Sequence, residues 1–525
     1  MRRRYIIYAC LLMLLDIPYL SAQRVVYCEP YSDRFTVRME MAGRVGDYYW
    51  MQSTRKKRYI ARNADPRQTE ESWFDIYDAR MKLANSIPIP PFTDATLKEY
   101  LVPGDNYFDQ VQVLGGDKRT EIYLQRFEAD GSPIDEGRML ASFPFNESGN
   151  SWILVRSEDR SKILLLGFQS ISAYPPRLHA LLFDENWKLL YRREYIHPHI
   201  TQPMIQDDFI NYPMEDFNSG ALKLANNGQW LMASPSRTNS NFLLWHFNAM
   251  DTAFAFKEIQ LPPASGMEDV NLSVNNEREE AFAAVLSTFH YDALKNVQVV
   301  HYSMSGRNFD FDSSYRFSTL SSGQIKDGNL TKESFIAVPG SGFMLLKEYG
   351  RPFTEWYDDG DGGYDMQWDP AVWFTSNNIP NAKSMKPPAL RDGYARYPAL
   401  GGRGDEHGRG DLNMFYFPGH AADSAWSAML IKEQITELNG LNLSYFVVTI
   451  RDRLFLLYNS FFHNEIPYGT TTILDHRGDM LTDEGIMFWK FKNNLRFQQA
   501  RQISENEVVI PYDNYGRTGY AVVRF

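Results

Sequence analysis

Apolar runs that end on an aromatic residue or leucine, followed at once by a small polar or acidic residue, recur along this chain. Tyr77-Asp78, Phe127-Glu128, Phe183-Asp184, Phe247-Asn248, Tyr302-Ser303 and Leu474-Asp475 hold the same two places in register. The first five lie 50, 56, 64 and 55 residues apart. A short turn and a second strand follow each pair, so the pattern predicts antiparallel hairpins repeated at a period typical of propeller blades.

The clearest unit runs over 151–196. It predicts strands at 152–155, 162–168, 177–183 and 189–195. The run Lys162 to Phe168 is almost wholly apolar, as expected of a strand buried on both faces. A second unit over 220–261 repeats the order, with strands at 221–224, 230–233, 242–247 and 253–259. Further copies fall at about 33–90, 95–145 and 270–317. The chain then predicts an all-β propeller of seven or eight four-stranded blades, eight being preferred. Three strands at 499–503, 507–511 and 520–525 lack a fourth, which residues 24–29 can supply. Pairing the two terminal segments closes the ring and removes two sheet edges.

Between Tyr302 and Leu474 the period is interrupted. Residues 351–412 are rich in Gly, Pro, Asp and Trp and show no strand pattern. They read as a long loop insertion in one blade, and insertions of this length are often functional. Trp356, Tyr357, Tyr364, Trp368 and Trp373 interleave with Asp358, Asp359, Asp361 and Asp365. Flat aromatic faces beside carboxylates suit a sugar ring or the anchor side chains of a partner protein, and equally suit pinning the loop to its blade. The four aspartates read first as a solvated acidic loop. Their second reading is a Ca²⁺ site, although the spacing departs from the EF-hand loop. The triplets Arg403-Gly404-Asp405 and Arg409-Gly410-Asp411 read as products of Gly-rich turns, with adhesion as the remote alternative. His197-Pro198-His199, ahead of Asp207-Asp208, reads as a polar loop before it reads as a metal site.

The amino terminus changes the picture of where the protein works. Arg2, Arg3 and Arg4 precede an apolar run from Tyr5 to Leu15, and Ser21-Ala22 offers a cleavage point before Gln23. Residues 1–22 are thus expected to be a signal peptide and 23–525 a single exported propeller domain, periplasmic or at the cell surface. No later stretch is apolar enough to span a membrane. Signal removal takes three arginines and one aspartate, moving the formal net charge from −11 to −13. Such an acidic chain is a poor nucleic-acid binder. Cys10 leaves with the signal, so Cys28 is left without an internal disulfide partner, and stability must come from apolar burial.

No G-x-S-x-G, HExxH, P-loop or G-x-G-x-x-G helix opening occurs in the sequence. Acids at hairpin turns, such as Asp78, Glu128, Asp184 and Asp475, usually stabilise the turn. The hairpin Leu182 to Leu190 and the closing segments Gln502 to Ile510 and Tyr520 to Phe525 resemble exported bacterial β-propeller proteins of uncharacterised function. The resemblance implies fold and export and transfers no catalytic residue. The expected role is a non-enzymatic module that binds a protein or glycan partner, with no cofactor. The alternative is a polysaccharide-active hydrolase or lyase with its site in the central channel.

Overall fold

The computed structural model describes residues 24–28, 36–56, 70–89, 96–116, 119–144, 151–169, 176–200, 220–236, 241–248, 254–262, 265–289, 294–306, 308–318, 330–338, 342–350, 383–384, 407–419, 425–430, 434–436, 445–450, 453–462, 466–475, 480–486, 494–504, 506–514 and 517–525. The predicted signal peptide lies outside them. No helix among the described residues is long and apolar enough to cross a membrane.

The protein is an all-β propeller. Its described strands group into eight sheets, antiparallel but for one short outer pairing, numbered blades 1–8 in chain order. Blade 3 shows the plan: Ser151–Arg156, Lys162–Gln169, Arg177–Asp184 and Leu189–Ile196 pair in sequence order, each antiparallel to the next. The two middle strands are buried along nearly their whole length. The fourth is largely exposed, with only Tyr195 fully covered. That gradient explains why the sequence shows unbroken apolar runs in mid-blade and mixed polarity at its outer edge.

Blades 1, 2, 4 and 5 repeat the plan over 36–88, 96–143, 222–260 and 265–318, and blade 7 does so over 445–486. Their first strands approach those of neighbouring blades and form the inner wall. Eight hydrophobic clusters fill the seams between successive blades and run right round the ring. The seam between blades 2 and 3 holds Val111, Ile122 and Leu124 against Leu154, Leu165 and Phe183. The seam between blades 8 and 1 holds Val509 and Val522 against Tyr49 and Met51. Each blade contributes alternate residues of the same strand to two different seams, so adjacent blades share one continuous core.

Blade 8 is built from both ends of the chain. Arg501–Ser504, Glu507–Asn514 and Arg517–Arg524 are joined by Arg24–Tyr27, which pairs with the last strand in the register Arg24↔Arg524 to Tyr27↔Ala521. The Cys28 backbone N–H donates to the Tyr520 carbonyl at 3.0 Å, and the Tyr512 hydroxyl donates to the Cys28 carbonyl at 2.7 Å. Glu507 accepts from Arg44 across the seam to blade 1 and from Arg524 within its own blade. The closure expected from the sequence is therefore present, with the first strand on the outer edge.

Blade 6 departs from the plan. Leu330–Val338, Gly342–Gly350, His407–Pro418 and Trp426–Leu430 form its four main strands. Here one boundary needs correction: the sequence reading carried the insertion to 412, but strand structure resumes at His407. Glu348 pairs with Leu412 and Gly350 with Arg409. The glycines at 408 and 410 disguise this as loop sequence, yet backbone hydrogen bonds are indifferent to side-chain type. The insertion is thus 351–406, between the second and third strands. Within it Lys383–Ser384 pairs in parallel with Trp426 and Ser427, beside the blade's outer edge.

Candidate functional site

The residues singled out in the insertion, Trp356, Tyr357, Asp358, Asp359, Asp361, Tyr364, Asp365, Trp368 and Trp373, all lie outside the described residues, as does the triplet 403–405. What the structure fixes is their root. The insertion leaves and re-enters through the paired strands Gly342–Gly350 and His407–Pro418, where Leu345, Leu346, Leu412 and Phe417 are fully buried. The second triplet, 409–411, is strand: Arg409 pairs with Gly350 and with Gln434.

The recurring turn acids are structural. Asp184 accepts through one oxygen from the backbone N–H groups of Asn186 and Lys188, both at 2.9 Å, and Asp78 does the same for Arg80 and Lys82. The third residue after each acid sits in the left-handed region: Met81 at φ 59°, Gly131 at 93° and Trp187 at 61°. Only glycine adopts this without strain. At Met81 and Trp187 the conformation folds a large side chain back into a seam, where both are buried. Trp187 Nε1 donates to Asp109 Oδ2 at 2.8 Å, and Arg126 donates to the same carboxylate through Nε at 2.7 Å and Nη2 at 2.9 Å. Asp109 thus ties blade 2 to blade 3.

Turns between first and second strands meet at one mouth of the central channel. Asn276 of blade 5 donates to Glu158 of blade 3 at 2.7 Å, and the Asn226 backbone of blade 4 donates to Asn276 at 2.8 Å. Arg160, at φ 60°, reaches from blade 3 to the Ile503 carbonyl of blade 8 at 3.4 Å and to Asp105 of blade 2 at 3.7 Å. These contacts span the mouth. Lys223, on the first strand of blade 4, stands beside them; burial pushes its ammonium down to about 8, partly offset by Glu158. In blade 2, Glu99 is buried in the inner wall and accepts from Gln110; burial raises its carboxyl above the usual range. The insertion emerges at the opposite end, where second strands give way to third.

That same end carries a cleft of about 670 Å³ between the outer parts of blades 2 and 3, lined by Phe143, Pro144, Gln169, Arg177, His179, Arg192, Arg193 and Glu194. Arg177 Nη1 pairs with Glu194 Oε1 at 2.8 Å. The Arg192 guanidinium lies 4.2 Å from the Phe143 ring centroid, and its Nη2 donates to the Ser142 carbonyl at 3.3 Å. His179 packs against Phe143 at 5.2 Å, and burial, reinforced by the two guanidinium charges, lowers its imidazole pKa despite Glu194. Sequence reasoning missed this cleft.

The rings of His197 and His199 lie 5.4 Å apart, centroid to centroid. The His199 backbone N–H donates to His197 Nδ1 at 3.3 Å, and the His197 ring packs on Trp245, Phe254 and Phe256. Asp207 and Asp208 lie outside the described residues. Among the described residues no group of three or more His, Cys, Asp or Glu side chains is placed to hold a metal ion.

No protein-family model matches the chain, and no curated protein matches it. Among solved structures the chain is similar to the Dos1 propeller, with a TM-score of 0.39, 8% identity, and coverage of 95% of this chain and 94% of that one. It is similar to the WD40 domain of SCAP from fission yeast, with a TM-score of 0.36, 9% identity, and coverage of 96% and 98%. It is similar also to the polysaccharide lyase Uly1, with a TM-score of 0.34, 9% identity, and coverage of 94% and 99%. The β-propeller fold of this chain rests on its own strand pairing.

Proposed function

We propose that this protein is an exported, non-enzymatic propeller of bacterial type that binds a protein or glycan partner in the periplasm or at the cell surface. The observation that carries the reading is the insertion 351–406, rooted on two antiparallel strands of blade 6 whose ladder holds the fully buried Leu345, Leu346, Leu412 and Phe417. A rigid sheet that displays a long aromatic-rich and acidic segment is the arrangement by which scaffolds present binding loops. Trp356, Tyr357, Tyr364, Trp368 and Trp373 are the anchors in this reading, and the acidic residues between them form a polar rim. Export is supported by the basic and apolar segment ahead of Gln23. Cleavage there leaves the closing strand Arg24–Tyr27 whole.

The test replaces 351–406 with a short Gly/Ser turn and keeps His407–Pro418 intact. The expected result is loss of partner capture with an unfolding midpoint unchanged within about 2 °C. Retained capture, or collapse of the fold, overturns the reading. N-terminal sequencing of the exported chain should begin at Gln23.

A further inference from the structure

We propose that the cleft between blades 2 and 3 binds an acidic saccharide, its carboxylate or sulfate held between Arg177 and Arg192. The inference deepens the glycan side of the reading above at a second place on the same end of the ring.

Three observations carry it. The first is local charge. Arg177 and Arg192 face a single carboxylate, Glu194, while Arg193 alternates to the other side of its strand, so the cleft keeps a net positive charge on a chain whose formal net charge is −11. Guanidinium forks match carboxylate and sulfate oxygens, and a cleft of one sign concentrates ligands of the other.

The second is convergence. Glu194 and Arg192 on the outer strand face His179 and Leu181 on its neighbour, because His179 pairs with Glu194 and Leu181 with Arg192. Gln169 pairs with Arg177 at the end of the second strand. Arg177, His179, Gln169, Arg192 and Glu194 therefore share the side of blade 3 that looks at blade 2, where Phe143 supports Arg192.

The third observation is the kind of lining. Phe143, buried and capped by Arg192, and Pro144 are the apolar residues of the lining, and every other lining residue is polar or charged. Gln169 brings to the lining an amide, a group that pairs with hydroxyls. At about 670 Å³ the space exceeds what a bare inorganic anion fills and lies in the range of small-molecule sites. Glu194 competes for Arg177, so a ligand anion would displace half of an existing ion pair.

The experiment is titration calorimetry of the full mature chain with four probes: oligogalacturonate, a sulfated oligosaccharide, a neutral oligosaccharide of the same length, and an oligoglutamate peptide. The expected result is binding of one or both acidic saccharides, weakened by added salt, with the neutral sugar silent. Arg192→Gln and Arg177→Gln should each weaken binding about tenfold. Glu194→Gln should tighten it severalfold, an effect that a purely structural ion pair would not give. Equal binding of the neutral sugar, binding of the peptide alone, binding of none of the probes, or unchanged affinity in both arginine variants with unaltered unfolding midpoints overturns the proposal. The same titrations on the chain with 351–406 replaced separate the two sites. Saccharide binding kept there and lost in the arginine variants supports the cleft. The reverse pattern overturns the cleft and leaves the insertion reading standing.

Discussion

Blades 3 and 6 are the same object made in two ways. In blade 3 the second and third strands are joined by residues 170–176; in blade 6 the same connection is 351–406. Yet both blades keep the antiparallel ladder between those strands, and both bury its centre completely: Leu165 in blade 3 and Leu345 in blade 6 each face the preceding blade's seam with no exposure. Loop-closure entropy grows only slowly with length, so a long connection costs the sheet little once the seams on either side are filled. The comparison locates stability in the seams and leaves the connections at the insertion end free to diversify.

The sharpest way to break this equivalence is paired truncation. Leu165→Ala and Leu345→Ala should each cost about 3 kcal/mol in urea-induced unfolding. A much smaller cost at Leu345 would mean that the insertion loosens its blade, and the two blades would no longer be energetic equals. A smaller effect should come from Asp109→Asn. It removes a charged acceptor shared by Arg126 and Trp187, which blade 3 uses and for which blade 6 shows no counterpart among its described contacts. About 2 kcal/mol should be lost, with a matching change in tryptophan emission at Trp187.

The smallest effect, and of opposite sign, is expected at Lys223→Met on the wall next to blade 3. In the unfolded chain the ammonium titrates near 10.5, and in the folded chain at about 8. Below pH 8 both states are protonated and the folded state carries the full cost of the buried charge; between 8 and 10.5 the unfolded chain binds more protons, so stability rises with pH. The variant should therefore be more stable than the parent at pH 7, by about 1–2 kcal/mol, less than the full shift implies because Lys223 is partly exposed to the channel. The gain should fade by pH 10.5, as followed by thermal unfolding across that range. A gain independent of pH would assign the effect to packing.

Blade 3 was legible in the sequence to within about a residue at every strand end. Its strands are buried on both faces, and such strands announce themselves as unbroken apolar runs. The closing pairing was legible as well, since three strands at the end and one near the beginning left a visible vacancy. His407–Pro418 was half hidden, because Gly408, Gly410 and Asp411 carry turn chemistry, and Gly410 and Asp411 fall at an irregularity in a strand that is paired on either side of them. The cleft was not legible at all. Arg192 and Glu194 look like ordinary solvent-facing positions on an outer strand, and only the placement of Phe143 from another blade turns them into a lining. Trp187 is similar: its left-handed backbone makes sense once Asp109, far away in sequence, is seen to receive its indole.

The pairing of Arg24–Tyr27 with Arg517–Arg524 also imposes an order of events. Arg24–Tyr27 is made long before its partner Arg517–Arg524, so the torus stays unsealed until the other seven blades have emerged from the ribosome.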